Sequence, residues 1–344
     1  MSYFFLLFIL AFLFSYLGIF CMYRWARKRI LDVPNIRSSH TQPTPRGGGL
    51  FVVLCTLAGF WLSCLFFPEL VPLRIAFYFS LSAILVALVS WFDDLYILSN
   101  WARFTTHSVG ALLILQAGWV WQWVAFPFGP SISLGWVGYP VTFFWIVGLT
   151  NVYNFMDGID GLAGGQAVVG GVAWIGLGLM KGEPLASVLG VLVAGGSLGF
   201  LGHNWPPARI FLGDVGSAFL GFSFAALPLI LNLTDPWLPI TSFLVVWPFI
   251  FDATFSLLRR LRRGENIFAP HRSHLYQRLI IAGYGHRFVS SFYIFLALIG
   301  MMLAFTITLD YPGGHWLVAC VPGLLCFGLW RFVVWAENTS TRET

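Results

Sequence analysis

The chain has 344 residues, of which 58% are hydrophobic and only 10% are charged, and its mean hydropathy is +0.81. This composition excludes an ordinary soluble domain and is typical of a multi-pass membrane protein. The net charge of +5 comes from basic residues in the polar intervals between apolar runs. Such residues anchor membrane spans, so the charge does not indicate a nucleic-acid partner.

Eleven apolar runs of the sequence are each long enough, at about 20 residues, to cross the roughly 30 Å of hydrocarbon in a bilayer. We therefore predict an all-α integral membrane protein, a polytopic bundle of about 11 transmembrane helices that forms a single domain over residues 1–344. The longest polar interval, from Arg259 to Arg287, is too short for a separate globular unit. The runs lie at approximately 3–22, 48–67, 74–92, 104–124, 139–155, 165–180, 185–202, 216–232, 238–257, 288–308 and 316–335.

The basic residues predict how the bundle is oriented. With alternate crossings, one side of the membrane receives 15 Arg and Lys residues between the spans, and the other receives only Arg74 and Lys181. The side rich in positive charge is predicted to be cytoplasmic, with the N-terminus outside and the C-terminus inside. The polar motifs described below all fall on this cytoplasmic side.

The first cytoplasmic loop, residues 32–49, is rich in proline and glycine and ends in Arg46-Gly-Gly-Gly49. Prolines and glycines disfavour a helix here. Arg46, together with bare backbone amides at Gly47 to Gly49, could hold an anion. The alternative, a plain turn with an interfacial arginine, stays open.

Two adjacent acids, Asp93 and Asp94, close the third apolar run. Successive helical residues point about 100° apart, so the two carboxylates cannot serve one ligand in the same way. One is expected to face a metal and the other a proton donor. The alternative is a solvated helix end, but the helix dipole disfavours acids at a helix C-terminus, which favours a functional role.

The segment from Asn151 to Gly165 carries polar side chains at every third position: Asn151, Asn154, Asp157 and Asp160. This spacing places them along one side of a helix or its frayed end. A glycine follows each aspartate, so a ligand can approach the backbone closely. Asn and Asp oxygens are hard ligands that suit Mg²⁺ or Mn²⁺.

A lone acid, Asp214, lies between glycines at the start of another apolar run, in the segment from Phe211 to Ser217. We interpret Asp214 as a metal ligand. An acid at a helix N-terminus is also favoured by the helix dipole, so a capping role is the alternative.

The last large loop contains His271 and His274 with Arg272 between them. This arrangement suits binding of a phosphate or a leaving group, and no third nearby ligand completes a zinc site. Positive-inside anchoring explains the arginines at 259–263. Asp252, about two turns before those arginines, leaves two interpretations open, a pair with one of them or a direct role.

Together these motifs predict Mg²⁺-dependent phosphoryl transfer between a soluble diphosphate donor and a lipid acceptor. Such transfer mainly requires that the phosphate charge be neutralised and the reactants positioned. The active site is expected on the cytoplasmic loops, because nucleotide substrates are cytoplasmic and the acceptor tail lies in lipid.

These motifs resemble the polyprenyl-phosphate N-acetylhexosamine-1-phosphate transferase superfamily, glycosyltransferase family 4. The resemblance covers most of the chain, and its motifs occur in the family's order. The stretches SSHTQPTPRGGG and APHRSHLYQRL are most similar to bacterial O-antigen initiators that use UDP-N-acetyl-fucosamine, -quinovosamine or -glucosamine. The matching pieces are Asp93-Asp94, the NxxNxxDGxDGLA run at 151–163, the FLGDxGS run at 211–217 and the HRSH motif at 271–274.

The resemblance implies a reaction in which a UDP-N-acetylhexosamine, including the 6-deoxy sugars, gives its HexNAc-1-phosphate to undecaprenyl phosphate and releases UMP. It places the enzyme in the bacterial inner (cytoplasmic) membrane, at the step that starts O-antigen, lipopolysaccharide or a related cell-envelope glycan. It implies Mg²⁺ as the cofactor, with Mn²⁺ as a substitute. The implied partners are the two substrates and membrane lipid, with no nucleic acid, and a homodimer is compatible with the family.

By the same resemblance, Asn154 and Asp214 would hold the metal at the diphosphate. Asp93 and Asp94 would be the catalytic pair that positions or deprotonates the lipid phosphate. Many relatives carry a basic residue shortly after this pair, which this chain lacks, so that contact is either missing or supplied by Arg103. The residues implied to bind nucleotide or other substrate groups are Asn151, Asp157, Asp160, Arg46, His271, Arg272 and His274.

Two other functions stay open at this point. An ion-coupled multi-pass transporter would also retain acids in membrane spans, but it would need them near the middle of the bilayer, whereas most of these lie at one edge. The CDP-alcohol phosphotransferases also carry a membrane motif rich in Asp-Gly pairs. Their motif has an arginine after DGxxA, and here Gly164 follows Ala163.

Overall fold

The computed structural model describes residues 2–34, 42–96, 98–231, 234–266, 269 and 271–343. This part of the chain folds into twelve α-helices and two short antiparallel strand pairs. The helices are α1 Ser2–Ala26, α2 Gly49–Phe66, α3 Leu73–Tyr96, α4 Asn100–Gln116, α5 Gly138–Phe155, α6 Leu162–Lys181, α7 Pro184–Asn204, α8 Asp214–Ala226, α9 Leu238–Arg262, α10 Leu275–Ile281, α11 His286–Thr308 and α12 Gly314–Glu343. The strands are β1 Leu31–Asp32, β2 Thr44–Pro45, β3 Trp123–Phe126 and β4 Gly129–Ser133.

Each of the eleven apolar runs contains one helix, and only α10 lies outside them. Within the described ranges, eight helices are long and apolar enough to cross a membrane: α1, α2, α3, α6, α7, α9, α11 and α12. The other three helices in the apolar runs, α4, α5 and α8, have 17, 18 and 13 residues. The predicted all-α polytopic architecture is therefore confirmed, and the chain is a multi-pass membrane protein.

The fourth apolar run departs from the predicted boundaries. It was expected to be helical over 104–124, but α4 ends at Gln116 and the chain then forms the β3–β4 hairpin. Gly118 follows the end of the helix, and the tryptophans and valines after it suit a strand better than a helix. In the hairpin, Val124 pairs with Ile132.

Helix α7 forms the centre of the bundle and packs against α6, α1 and α2. Helix α8 packs against α5 and α3, while α11 packs against α6 and α9. These contacts bring the last turns of α3 and α5 next to the first turn of α8. The candidate site lies where these three helix ends meet.

Candidate active site

The Asp94 carboxylate caps helix α8 from the neighbouring helix α3. Its Oδ1 accepts the backbone N–H of Asp214 at 3.0 Å, and its Oδ2 accepts that of Val215 at 3.1 Å. The first N–H groups of a helix have no partner inside the helix, so these bonds fix where α8 begins. Gly213 has φ +78°, and a Cβ there would lie 2.6 Å from Asp94 Oδ2. This close approach requires glycine.

The Asp93 carboxylate faces helix α4. It is ion-paired with Arg103, and its Oδ1 accepts the backbone N–H of Leu98 at 2.5 Å. Arg103 Nη2 also lies 3.8 Å from Asp214 Oδ2. Arg103 therefore provides a basic contact to the paired acids, one of the two possibilities that the sequence left open. Asp93 and Asp94 are both 2% exposed, so the alternative of a solvated helix end is wrong.

Asn154 and Asp214, the pair expected to hold a metal, are in direct contact. Asn154 Nδ2 donates to Asp214 Oδ1 at 2.8 Å and to Ser217 Oγ at 3.0 Å. The Asp214 side chain is 32% exposed, whereas that of Asp94 is 1% exposed. Asp214 is therefore more accessible to solvent than Asp94.

Arg46 lies at the edge of the same group, with Nη1 3.9 Å from Asp94 Oδ1. The sequence predicted bare backbone amides at Gly47 to Gly49, but two of the three, those of Gly48 and Gly49, have backbone partners. Gly48 donates to the Phe211 carbonyl at 2.9 Å, and Gly49 donates to that of Leu212 at 2.8 Å. These amides hold the 211–217 segment against the start of α2 and cannot bind an anion. Residues 35–41 of this loop lie outside the described residues.

Asp157 follows α5 and faces the other acids. Desolvation raises its pKa well above the ordinary range, and the negative charges of Asp214, Asp94 and Asp160 raise it further. Each of these effects disfavours another negative charge at this position. The surroundings of Asp157 therefore favour its protonated form.

Asp160 is engaged in holding two other segments together. Its Oδ2 accepts the backbone N–H of Ala208 at 3.0 Å and lies 3.3 Å from His286 Nδ1. Its carbonyl oxygen accepts the Ser290 hydroxyl at 2.7 Å. Asp160 thus fixes the 205–213 segment and the start of α11 beside the site.

Asn151 points toward α4. Its Nδ2 donates to the Val147 carbonyl at 2.7 Å, and its side chain lies near the His107 ring. His107 is 4% exposed and lies one turn beyond Arg103. Our sequence analysis missed His107. The available signal was the position of His107 in an apolar run, four residues after Arg103.

The HRSH motif lies next to the end of α5. Tyr276 Oη donates to the Phe155 carbonyl at 3.0 Å, and a Cβ at Gly158 would collide with this hydroxyl. Glycine at 158 therefore permits the close approach of α10 to the segment that carries Asp157. The His271 and His274 rings have centroids 4.9 Å apart. Arg272, between them, is half-buried.

Desolvation lowers the pKa of His271 to about 4, and the nearby His274 and Arg260 contribute to this shift. His271 is therefore neutral near pH 7. Its Nδ1 lies 2.9 Å from Ser273 Oγ. This ring contributes a hydrogen bond to the site, and not a positive charge.

Asp252 does not pair with the following arginines, so the first interpretation of this residue is wrong. Arg260 Nε instead lies 3.0 Å from Glu265 Oε2. Asp252 accepts the backbone N–H groups of Leu275 and Tyr276 at 2.8 and 3.0 Å and so caps α10.

The donors at the centre of the site fit a hard divalent cation. Asp214 provides a carboxylate, and Asn154, whose Nδ2 faces Asp214, also carries an amide oxygen. Carboxylate and amide oxygens are ligands that Mg²⁺ accepts in proteins. Among the described residues, no group of three or more His, Cys, Asp or Glu side chains is arranged to hold a metal. The fit therefore rests on one partly exposed carboxylate, that of Asp214, and the neighbouring Asn154 amide. This is compatible with Mg²⁺, which usually keeps water and substrate oxygens as its other ligands.

Comparison with known proteins matches residues 76–232 to the model of glycosyl transferase family 4. The chain is 35% identical over 264 residues to the probable undecaprenyl-phosphate N-acetylglucosaminyl 1-phosphate transferase of Bacillus subtilis, covering 75% of this chain and 71% of the relative. It is 31% identical over 313 residues to the decaprenyl-phosphate N-acetylglucosaminephosphotransferase of Mycobacterium leprae, covering 82% and 78%. It is 28% identical over 290 residues to the undecaprenyl-phosphate alpha-N-acetylglucosaminyl 1-phosphate transferase of Escherichia coli K12, covering 80% and 76%.

Proposed function

Because the chain belongs to glycosyl transferase family 4 and is a phosphotransferase, we propose that it transfers HexNAc-1-phosphate from a UDP-sugar to undecaprenyl phosphate. The products would be undecaprenyl-diphospho-HexNAc and UMP. The names of the relatives support UDP-N-acetylglucosamine as the first donor to test. The similarity of the HRSH and first-loop sequences to O-antigen initiators supports the 6-deoxy sugars as alternative donors.

One observation supports this function most strongly. Acids and arginines from separate helices meet around Asp214, with Arg103 Nη2 at 3.8 Å from its carboxylate and Asn154 Nδ2 at 2.8 Å. Phosphoryl transfer requires positioning and neutralisation of a highly charged transition state. Oxygen ligands for a cation beside guanidinium groups provide both.

We propose that Asp214 and Asn154 hold Mg²⁺, with Mn²⁺ as a substitute. When bound, the cation would neutralise charge on the diphosphate oxygens and favour departure of UMP. The protein's own residues orient this pair. Asp94 fixes Asp214 by capping α8, and Ser217 fixes the Asn154 amide.

We assign different roles to the two adjacent acids. Both oxygens of Asp94 are bonded to α8, so Asp94 is a positioning residue. Asp93, with Arg103, is the pair proposed to meet the acceptor phosphate. Arg103 can use its free N–H groups on phosphate oxygens, because a guanidinium carries five donors in a fixed fork.

The nucleotide sugar is proposed to lie between the 151–165 segment and the HRSH motif. Asp157 would contact the nucleotide directly, while Asn151 and Asp160 would act through the neighbouring segments that they hold. Arg46, His271, Arg272 and His274 would contact phosphate or sugar groups. The closeness of Tyr276 to Phe155 supports this shared site.

We further propose that the enzyme lies in the bacterial inner membrane with this site at the cytoplasmic face. The distribution of basic residues between the two sides supports this orientation. The product would start O-antigen or a related cell-envelope glycan.

The test is UMP release by the purified protein with undecaprenyl phosphate and one of three donors, UDP-N-acetylglucosamine, -quinovosamine or -fucosamine. We expect UMP and a lipid-linked sugar in equal amounts with at least one donor. Incubation with a CDP-alcohol tests the CDP-alcohol phosphotransferase activity. An ion gradient across proteoliposomes tests ion-coupled transport. Release of CMP, or ion-driven transport without UMP, would contradict the proposal.

A further inference from the structure

Asp252 is a completely buried carboxylate at the junction of α9, α10 and α11. It is 0% exposed, and both of its oxygens accept hydrogen bonds. Oδ1 accepts the backbone N–H of Leu275 at 2.8 Å, and Oδ2 accepts that of Tyr276 at 3.0 Å. Oδ2 also accepts the Tyr293 hydroxyl at 2.5 Å. These donors stabilise the carboxylate in the interior, because burying an unpaired carboxylate would cost a large desolvation free energy.

The same carboxylate contacts the ring of His274. Asp252 Oδ1 lies 3.3 Å from His274 Nδ1, and the ring is buried at 5% exposure. The ring stacks on Tyr276, with centroids 5.8 Å apart and an interplanar angle of 19°. His274 is therefore held on one edge by Asp252 and on one face by Tyr276.

The His274 ring has a second hydrogen-bond partner besides Asp252. The ring also accepts the backbone N–H of Gln277 as part of a capping box, which requires a bare ring nitrogen. An ionised carboxylate can only accept, so the contact with Asp252 requires a proton on Nδ1. A hydrogen bond to a charged group is stronger than one between neutral groups. The Asp252 contact is therefore the stronger of the two.

We propose that Asp252 is a positioning residue that keeps the proton of His274 on Nδ1 and leaves Nε2 for the substrate. This inference rests on the proposed function, because Nε2 would face the phosphate or sugar of the nucleotide sugar. An aspartate behind a histidine fixes both the tautomer and the orientation of the ring in other enzyme and metal sites. Asp252 also has a second role, because it caps α10, the helix that directly follows His274.

The first test reads the tautomer directly and does not depend on turnover. Protein labelled with ¹⁵N-histidine is reconstituted in lipid, and the His274 signals are identified by their loss in His274→Ala. We expect a protonated Nδ1 and a bare Nε2 in the wild type. Asp252→Asn removes the negative charge beside Nδ1. The backbone N–H of Gln277 should then become the partner of Nδ1, and the proton should move to Nε2. A wild-type ring protonated on Nε2 alone would overturn the proposal.

Tyr293→Phe is the matched control for the tautomer measurement. It removes one donor to Asp252 but leaves the contact between Asp252 and His274. We expect the His274 spectrum to stay as in the wild type while the unfolding temperature falls. If Tyr293→Phe also moves the proton to Nε2, the tautomer depends on the packing of this buried region and not on the Asp252 carboxylate. The proposal is then wrong.

The second test is a double-mutant cycle on UMP release, normalised to folded protein. Asp252→Asn should lower kcat at least tenfold in the wild-type background and much less in His274→Ala, where only its cap on α10 is affected. Residues that act through each other show such non-additivity. Equal losses in both backgrounds would overturn the proposal. A wild type that has the expected tautomer but releases no UMP with any donor would instead contradict the proposed function.

Discussion

At the scale of single residues, the two adjacent acids serve different neighbours. Asp94 is bonded to the start of α8, and Asp93 is ion-paired with Arg103 of α4. The sequence predicted that the two carboxylates would differ, because adjacent helical positions point apart. It could not predict their partners, since Asp94 and Asp214 are 120 residues apart in the chain. When another helix provides the capping side chain, the residues next to the capped helix contain no sequence motif that predicts the cap.

Replacing Gly213 by alanine should damage the site through its contact with Asp94. Both the positive φ and the 2.6 Å approach to Asp94 Oδ2 disfavour a Cβ. Gly264→Ala is the matched control, since Gly264 has φ +67° with nothing within 4 Å of a Cβ. A left-handed conformation costs about 1–2 kcal/mol for a residue other than glycine. We expect that loss in both variants, and a further loss of UMP release of at least tenfold in Gly213→Ala alone. Equal activity of the two variants would show that the Asp94 contact does not position Asp214.

Arg272→Lys should lower turnover at least tenfold, about 1.4 kcal/mol of barrier. A guanidinium can grip a phosphate with two parallel hydrogen bonds, and an ammonium cannot. His271→Ala and His274→Ala should cause losses of similar size. The measurement is UMP release by purified variants at saturating substrate.

The control for Arg272→Lys is the double variant Arg262→Lys with Arg263→Lys. Both of these arginines are exposed, and lysine preserves the charge that orients α9. We expect nearly normal turnover from this variant. A loss as large as that of Arg272→Lys would remove the support for a special phosphate contact in the HRSH motif.

At the scale of elements, hydropathy predicted the helices well. Each of the eleven runs contains a helix, because the need to bond every backbone group inside lipid leaves few other structures. The β3–β4 hairpin and the seven-residue α10 were not predicted. Both lie outside or at the edge of the apolar runs, where periodicity is weak and distant contacts decide the structure.

Helix α10 is held by an ion pair with α12. Arg278 Nε and Nη2 donate to the two oxygens of Glu337 at 2.6 and 2.5 Å, and the Arg278 side chain is only 9% exposed. Glu337→Gln would leave a nearly buried guanidinium with a weaker partner. Because the Glu337 side chain is 38% exposed, we expect a modest stability loss of about 1–2 kcal/mol. Turnover should fall as well, because α10 directly follows the HRSH motif and holds it in place.

Asp235→Asn is the control for this element. Asp235 pairs with Lys181 at the other end of the bundle, so its loss should lower the unfolding temperature and leave turnover per folded molecule unchanged. The measurements are thermal unfolding in detergent and UMP release. If Glu337→Gln also loses only stability, the position of α10 does not limit the reaction.

At the scale of the whole molecule, the described side chains of the site come from α3, α4, α5, α8, α9 and the segments that join them. The acids lie at helix ends, as a surface site requires, whereas a transport pathway would place them near the middle of the bilayer. The sequence predicted that these motifs share one face, from the basic residues alone. It could not predict that the first-loop amides would bond to the 211–217 segment.

The predicted orientation can be tested by labelling single cysteines in a cysteine-free background. Ser131→Cys, at an exposed position of the β3–β4 hairpin, should react with a reagent that cannot cross the membrane. Ser273→Cys should react with the same reagent only after the membrane is permeabilised. Ser39, a second predicted cytoplasmic position, lies outside the described residues and can be tested in the same way. Labelling of intact cells at positions 39 and 273 would overturn the shared cytoplasmic face.

The central claim is that Asp214, positioned by Asp94 and Asn154, holds the metal on which transfer depends. The most direct measurement is UMP release by wild type and Asp214→Asn, with EDTA and across a Mg²⁺ titration. Replacing the carboxylate with an amide keeps its shape but removes its charge, so the metal should be lost while the fold is kept. We expect no turnover in EDTA, recovery of the wild type with Mg²⁺ or Mn²⁺, and no recovery of a fully folded Asp214→Asn variant at any metal concentration. Near-normal turnover in EDTA, or in Asp214→Asn at saturating Mg²⁺, would contradict the account.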